Sequence, residues 1–215
     1  MRVRTKICGI TRIEDLQAAV SSGADALGFV VGVPSSTRNL SIEKAASLVR
    51  QVPVFVSSVL LMVPSTLDDL TEAYETIRPN SLQLHGDGVH SVEEIREAIP
   101  GVPLIKGVSS EPGEVMRAAK EAAGFDAILL DTFSPGTYGG TGMIHDWRIS
   151  EKIRKNVGSR RLILAGGLNP LNVQEAIRTV RPYAVDVSTG VESSPGIKDH
   201  EKIASFIENV REAML

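Results

Sequence analysis

The chain has 215 residues, of which 42% are hydrophobic and 23% are charged, and its formal net charge at pH 7 is -3. The charges are interspersed, so the sequence shows no basic patch for nucleic acid and no charged tail for a membrane surface. No apolar stretch has the length of a transmembrane helix. The only cysteine has no partner for a disulfide or for a metal cluster. We therefore expect a soluble, metal-free, cytoplasmic protein.

Eight short runs rich in Val, Ile and Leu follow one another along the chain. They span residues 4–10, 25–31, 54–61, 81–85, 103–108, 127–132, 161–167 and 184–190. Several runs are almost continuously apolar, which is typical of strands in a parallel sheet that helices cover on its faces.

Amphipathic segments lie between these runs and predict helices. Apolar residues recur at helical spacing after Ile13, Val92 and Ile203. The sequence "SVEE" at 91–94 is a capping-box pattern, and "NP" at 169–170 predicts a helix start with Asn as the cap. The connections are short, so we expect one domain over residues 1–215.

Eight strands, each followed by a predicted helix, favour an α/β fold of the single-domain (β/α)8 TIM-barrel type. A doubly wound open sheet is the alternative, because periodicity does not show which strands are hydrogen-bonded. The barrel has the advantage that it explains two glycine-rich motifs at consecutive strand ends together.

The lone Cys8 ends the first run. Side chains alternate along a strand, so Lys6 and Cys8 share one face, about 6.6 Å apart. Active sites of barrels lie at the carboxyl ends of the strands, which makes Cys8 a candidate if this face points inward. A nearby cation can shift a thiol toward thiolate. The alternative is an inert thiol packed in the core.

Asp131 ends the sixth run, in "LLDT", directly after four apolar residues. Burial favours the protonated carboxyl, and a carboxyl kept partly neutral can act as a general acid near pH 7. The alternative is a structural carboxylate that caps the next loop or pairs with Lys6. Cys8 and Asp131 together suggest a base and an acid.

Glycine-rich motifs close the last two runs, "AGGL" at 165–168 and "STGVE" at 188–192. Barrels often bind phosphate through these two loops, because glycine lets backbone N–H groups approach the oxygens. We therefore expect a phosphate monoester ligand. The loop "YGGTG" at 138–142 either folds over this ligand or is a surface loop without contacts.

Two further polar residues follow predicted strands. Arg38 lies in "PSSTRNLS" after the second run, and its planar guanidinium suits a carboxylate, although a solvated surface arginine is the alternative. His85 ends the fourth run and is either a polar lining residue of the site or a structural histidine.

Several of these motifs together resemble the phosphoribosylanthranilate isomerase family of tryptophan biosynthesis. In chain order they are "KICGIT", "GADALGFV", "LQLHG", "LLDT", "YGGTG", "AGGLNPLNV" and "VDVSTGVE…PGIKD", from Lys6 to Asp199. The resemblance implies a cofactor-free aldose–ketose isomerase, an intramolecular oxidoreductase that catalyses an Amadori rearrangement. Its substrate would be N-(5-phospho-β-D-ribosyl)anthranilate and its product 1-(2-carboxyphenylamino)-1-deoxy-D-ribulose 5-phosphate.

The resemblance also implies roles for individual residues. Asp131 would be the general acid that opens the sugar ring to an iminium, and Cys8 the general base that removes the C2 proton. Arg38 would hold the anthranilate carboxylate, and His85 and Asp186 would also bind substrate. The phosphate-binding residues would be Gly139, Gly140, Thr141, Gly142, Gly166, Gly167, Ser188, Thr189 and Gly190.

Two other functions remain open at this point. A different phosphate-binding barrel isomerase or lyase on a related sugar phosphate would need neither Cys8 as a base nor Arg38 for a carboxylate. A barrel that only binds phosphorylated ligands would have no use for an acid and a base. In each case we expect a phosphorylated small molecule as partner and no nucleic acid, membrane or cofactor. The sequence leaves the oligomeric state open.

Overall fold

The computed structural model describes residues 2–86, 91–109, 123–131, 147–157 and 161–213. Its strands are β1 Arg4–Cys8, β2 Ala26–Val31, β3 Asn39–Leu40, β4 Ser57–Met62, β5 Ser81–Leu84, β6 Leu104–Ser109, β7 Ala127–Asp131, β8 Arg161–Leu164, β9 Ala184–Val187, β10 Glu192–Ser194 and β11 Ile197–Lys198. Its α-helices are α1 Ile13–Ser22, α2 Ile42–Val49, α3 Leu67–Ile77, α4 Val92–Ala98, α5 Trp147–Asn156, α6 Val173–Val180 and α7 His200–Glu212. None of these described helices combines the length and the apolar character that crossing a membrane requires.

Eight parallel strands close into a barrel. Hydrogen bonds join β1, β2, β4, β5, β6, β7, β8 and β9 in this order, and β9 pairs with β1. The short β3 pairs with the end of β2, and β10 and β11 form an antiparallel hairpin of their own. The (β/α)8 barrel is therefore confirmed, and the open-sheet alternative is wrong because an open sheet has two unpaired edges.

Apolar side chains pack in two regions, one on each side of the barrel wall. The larger region lies between strands and helices and includes Ile7, Phe29 and Phe206. The smaller region fills part of the barrel interior and consists of Val59, Ile105, Ala127, Leu129, Ile163, Ala165 and Ala184. Because side chains alternate along a strand, the outward position of Ile7 sends Lys6 and Cys8 inward. The sequence made Cys8 a candidate site residue only if its side chain points into the barrel, and the structure shows that it does.

The prediction of a strand over 54–61 is wrong at its beginning. Val54 and Phe55 lie in a turn, 94% and 99% exposed, and β4 begins only at Ser57. The apolar composition of this run predicted a strand, but composition alone does not show whether a residue is buried in a strand or exposed in a turn.

Glycines end two strands earlier than predicted. Gly9 has a φ of +75°, and Gly166 and Gly167 have φ of +82° and +65°. These left-handed conformations interrupt the extended backbone, so that Cys8 is the last residue of β1 and Leu164 the last of β8.

Helix starts follow the sequence in one case and differ in another. The capping box at Ser91 is confirmed, since its side chain accepts from the Glu94 N–H and the Glu94 carboxylate accepts from the Ser91 N–H. The start predicted at "NP" is wrong by a few residues: the Asn169 side chain accepts from the Leu171 N–H in a turn, and α6 begins at Val173. The helix predicted after β6 lies outside the described residues.

Candidate active site

A buried ion pair occupies the middle of the barrel. The Lys6 Nζ donates to Asp186 Oδ1 over 3.0 Å and to Gln83 Oε1 over 2.9 Å. The parallel register of β1 and β9 places Lys6 directly beside Asp186. Burial by itself lowers the pKa of Lys6, but the charge of Asp186 and its hydrogen bond outweigh burial and raise this pKa above its usual value. Lys6 is therefore a permanent ammonium inside the barrel.

His85 continues this polar network. Since Gln83 accepts from Lys6 through its oxygen, its amide nitrogen donates to His85 Nε2 over 2.8 Å, and the imidazole proton then resides on Nδ1. Burial and the charges of Lys6 and Lys106 lower the pKa of His85 to about 4. His85 is thus a neutral imidazole at neutral pH, joined to the Lys6–Asp186 pair through one side chain.

Cys8 lies at the carboxyl end of β1, and its free thiol is buried. Its neighbour across the sheet is Gly28, where a Cβ would lie 2.7 Å from the Cys8 sulfur, so the backbone of β2 forms one wall beside the thiol. Burial raises the pKa of the Cys8 thiol more than the ammonium of Lys6 lowers it. The sequence left the protonation state of Cys8 open, and in the structure loss of hydration outweighs the neighbouring cation.

A pocket at the carboxyl ends of β7, β8 and β9 brings most of the remaining predicted residues together. It is lined by Asp131, Ala165, Gly166, Gly167, Leu168, Asn169, Asp186, Val187, Ser188, Thr189 and Gly190. The two glycine-rich loops touch each other here, since a Cβ at Gly190 would lie only 1.9 Å from the carbonyl oxygen of Leu168. Asp131 is half-buried at the edge of this pocket.

Arg38 reaches the same end of the barrel from the loop before β3. A Cβ at Gly9 would lie 2.6 Å from Arg38 Cδ and 3.1 Å from Ser188 Oγ, so the arginine stem crosses the backbone next to Cys8. The Nη2 of Arg38 also donates to Thr189 Oγ1 over 3.4 Å. The structure thus places Arg38 between Cys8 and the loop that follows β9.

The predicted phosphate ligands Gly139, Gly140, Thr141 and Gly142 lie outside the described residues. The sequence reasoning missed Gln83, Glu192 and Lys198, all of which are buried next to predicted site residues. Strand alternation was a usable signal for Gln83, because it stands two positions before His85 and therefore faces the same side. Glu192 and Lys198 lie in the motif "VDVSTGVE…PGIKD", whose letters do not show that the two side chains meet.

Known proteins similar to this chain point to one family. A family model described as N-(5'phosphoribosyl)anthranilate (PRA) isomerase matches residues 5–209. The N-(5'-phosphoribosyl)anthranilate isomerase of Methanocella arvoryzae is 46% identical over 212 residues, which are 97% of this chain and 98% of the relative. The protein of the same name from Pseudomonas fluorescens is 46% identical over 210 residues, again 97% and 98% of the two chains.

Solved structures agree with these sequence relatives. The crystal structure of phosphoribosyl anthranilate isomerase from Thermotoga maritima superimposes with a TM-score of 0.86 at 42% identity, covering 98% of this chain and 99% of the other. A phosphoribosyl anthranilate isomerase in complex with reduced 1-(o-carboxyphenylamino)-1-deoxyribulose 5-phosphate has a TM-score of 0.83 at 40% identity, with the same coverage. Of the three functions that the sequence left open, these matches support the isomerase.

Proposed function

The chain belongs to the N-(5'-phosphoribosyl)anthranilate isomerase family and is an isomerase of tryptophan biosynthesis, and from this premise we propose that Asp131 is its general acid and Cys8 its general base. The observation that carries the proposal is the arrangement of the strand ends. Asp131 lines the pocket with both glycine-rich loops, and Cys8 ends β1 on the same inner face as Lys6, which binds Asp186 of that pocket.

The reaction divides between these two side chains. Asp131 gives its proton to the furanose ring oxygen, the C1–O bond breaks, and the nitrogen lone pair forms an iminium with C1. Cys8 reacts as its thiolate, after its thiol proton has passed to solvent water, and removes the proton from C2. The electrons of that C–H bond form the C1–C2 double bond of an enolamine, and the electrons of the C1–N double bond return to nitrogen. The C2 hydroxyl then loses its proton and C1 gains one, which converts the enolamine to the ketone product.

The raised pKa of Cys8 fits a base that acts on a carbon acid. A thiolate formed from a weaker acid is a stronger base, and the adjacent iminium makes the C2 proton more acidic. The buried ammonium of Lys6 stabilises the thiolate during this step, since it already lowers the pKa of Cys8 against the effect of burial.

The proposed partner is a phosphorylated small molecule bound at both ends. Gly166, Gly167, Thr189 and Gly190 line the pocket, and the backbone N–H groups of such glycine-rich loops suit a phosphate. Arg38 suits the anthranilate carboxylate, because its guanidinium lies beside Cys8 and its stem is fixed over Gly9.

Asp186 and His85 are proposed to contact the sugar between these two ends. Asp186 lines the pocket while one of its oxygens accepts from Lys6, and His85 is linked to the same ammonium through Gln83. Their shared network gives both side chains a fixed orientation before substrate arrives.

We further propose one domain over residues 1–215 that works in the cytoplasm. The last helix, α7, returns to the first, since Arg211 donates to the Ser22 carbonyl over 3.0 Å. A catalytic free thiol such as Cys8 suits a compartment in which thiols stay reduced.

Substitution of the acid tests this proposal. We expect wild-type protein to consume phosphoribosylanthranilate generated in situ, followed by loss of its fluorescence, and Asp131→Asn to lower kcat about 100-fold or more. Binding of the reduced product analogue should change by less than about threefold, because a general acid contributes chiefly to the chemical step. Asp126→Asn, on the exposed side just before the same strand, is the matched control. Near-native turnover by Asp131→Asn would remove Asp131 from the mechanism.

A further inference from the structure

A buried ion pair beside Arg38 has no part in the proposed acid–base mechanism. Glu192 and Lys198 face each other across the β10–β11 hairpin, and Lys198 Nζ donates to Glu192 Oε1 over 2.9 Å. Glu192 is 8% exposed and Lys198 3%. Burying two charges is costly, and a pair of apolar side chains usually stabilises a hairpin at least as well. The pair therefore calls for an explanation other than stability.

Glu192 holds the guanidinium of Arg38 at two points. Arg38 Nε donates to Glu192 Oε1 over 2.7 Å, and Arg38 Nη2 donates to Glu192 Oε2 over 2.5 Å. These two hydrogen bonds fix the plane of the guanidinium. Its Nη1 group has no hydrogen-bond partner among the described residues and is available to a ligand. Orientation by a carboxylate has a disadvantage, however, because an Arg38–Glu192 pair alone has no net charge with which to attract a substrate carboxylate.

Lys198 removes this disadvantage. With its ammonium included, the unit of Arg38, Glu192 and Lys198 has a net charge of one positive unit. The pKa of Glu192 is lowered, because hydrogen bonds from Arg38 and the charge of Lys198 outweigh the effect of burial. Burial also lowers the pKa of Lys198, but its Nζ donates to three acceptors, Glu192 Oε1, the Ser188 carbonyl and Ser188 Oγ, as an ammonium does. Lys198 also donates to the Ser188 carbonyl over 3.1 Å. It therefore connects the guanidinium to the loop proposed to bind phosphate.

We propose that Lys198 is a positioning residue that neutralises Glu192, so that Glu192 orients Arg38 without cancelling the positive charge that Arg38 offers to the carboxylate of the substrate. This inference rests on the proposed role of Arg38. It predicts that Lys198 matters for ligands that carry the carboxylate and is nearly irrelevant for ligands that lack it.

Two ligands separate this role from a structural one. The first is the reduced product analogue with its 2-carboxyphenyl group, and the second is the same compound with an unsubstituted phenyl group. We expect Lys198→Met to weaken binding of the carboxylated compound roughly tenfold or more and to change binding of the phenyl compound by less than about threefold, both measured by titration calorimetry. Loss of folding would weaken both ligands equally, so the ratio of the two dissociation constants reports the carboxylate alone.

Matched variants complete the experiment. Lys202→Met is the control, because Lys202 is a half-exposed lysine whose ammonium binds, within the described part of the chain, the backbone carbonyl of Glu192 and the Asp199 side chain. It should leave the ratio unchanged. The double variant Glu192→Gln/Lys198→Met leaves no unpaired buried carboxylate and restores a net positive charge at Arg38. Its affinity for the carboxylated compound should lie between those of Lys198→Met and wild type, and an affinity no better than that of Lys198→Met contradicts the inference.

Arg38→Ala distinguishes failure of this inference from failure of the proposed function. If Arg38→Ala removes the preference for the carboxylated compound and Lys198→Met does not, Lys198 has no positioning role and the carboxylate site stands. If Arg38→Ala keeps the preference, the carboxylate binds elsewhere and both ideas are wrong.

Discussion

The thiol of Cys8 is subject to opposing influences from residues far apart in the sequence. Burial raises its pKa, the ammonium of Lys6 opposes burial, and the carboxylate of Asp186 and the ammonium of Lys198 act in opposite directions. A cysteine whose pKa is raised in this way keeps its proton to higher pH than an ordinary thiol does. The site thus protects the thiol from adventitious reactions, because only the thiolate is strongly nucleophilic.

The reactivity of Cys8 toward iodoacetamide should report this raised pKa. A group whose pKa is raised keeps its proton to higher pH, so the rate of alkylation at pH 7 should be well below that of an unfolded-state thiol. The rate should still be increasing at pH values above about 8.5, the ordinary thiol pKa. Mass spectrometry measures the modification without ambiguity, since the chain has one cysteine.

The same protein in denaturant is the control for alkylation, because the unfolded chain exposes an ordinary thiol. A rate in the folded protein that is constant between about pH 6 and pH 8 would mean that Cys8 is already a thiolate. The raised pKa would then be wrong.

At the scale of elements, the loops after β8 and β9 act as one unit. Leu168 and Gly190 approach so closely that no side chain fits between them. Asn169 and Asn172 fix the first loop, since Asn172 Oδ1 accepts from the Asn169 N–H and its Nδ2 donates to the Gly167 carbonyl. The phosphate that we propose for this pocket would be held by backbone groups whose positions depend on this contact.

Gly190→Ala tests the contact between the loops. The added methyl overlaps the Leu168 carbonyl oxygen, so the loops must separate at a cost of about 1–3 kcal/mol. We expect KM for the phosphorylated substrate to rise about tenfold or more, since the backbone donors lose their relative positions. Steady-state kinetics at varied substrate concentration measure this change.

Gly101→Ala provides the comparison for this loop variant. Gly101 has a φ of +80°, a methyl group on its Cα would have no neighbour within 4 Å among the described residues, and it lies before β6 at the opposite end of the barrel. The substitution strains the backbone and should lower stability while leaving KM unchanged. An unchanged KM in Gly190→Ala as well would mean that the loop contact does not shape the phosphate site.

For the whole molecule, the sequence was enough to predict the barrel because eight apolar runs alternate with amphipathic segments. It overestimated one strand at Val54 and Phe55, where apolar residues lie exposed in a turn. Closure of the sheet follows from hydrogen bonds between β1 and its two neighbours, which no local pattern contains. The sequence predicted closure only indirectly, because eight predicted strands are the number that a (β/α)8 barrel requires.

The sequence indicated the place of the candidate site better than its electrostatics. Strand ends and glycine motifs led to Cys8, Asp131 and the loops that line the pocket. The direction of the Cys8 pKa shift was not accessible, because it depends on how completely the fold removes water. The charge balance around Arg38 was equally hidden, since Glu192 is 154 positions away along the chain.

The most direct test of the proposed mechanism compares the turnover of phosphoribosylanthranilate by the wild-type chain and by Cys8→Ala in the same fluorescence assay. We expect steady consumption by the wild type in proportion to protein concentration, and a kcat for Cys8→Ala lower by about 100-fold or more, with the affinity for the reduced product analogue retained. Turnover by Cys8→Ala at close to the wild-type rate would contradict the mechanism, because it would return the lone cysteine to core packing and require another base.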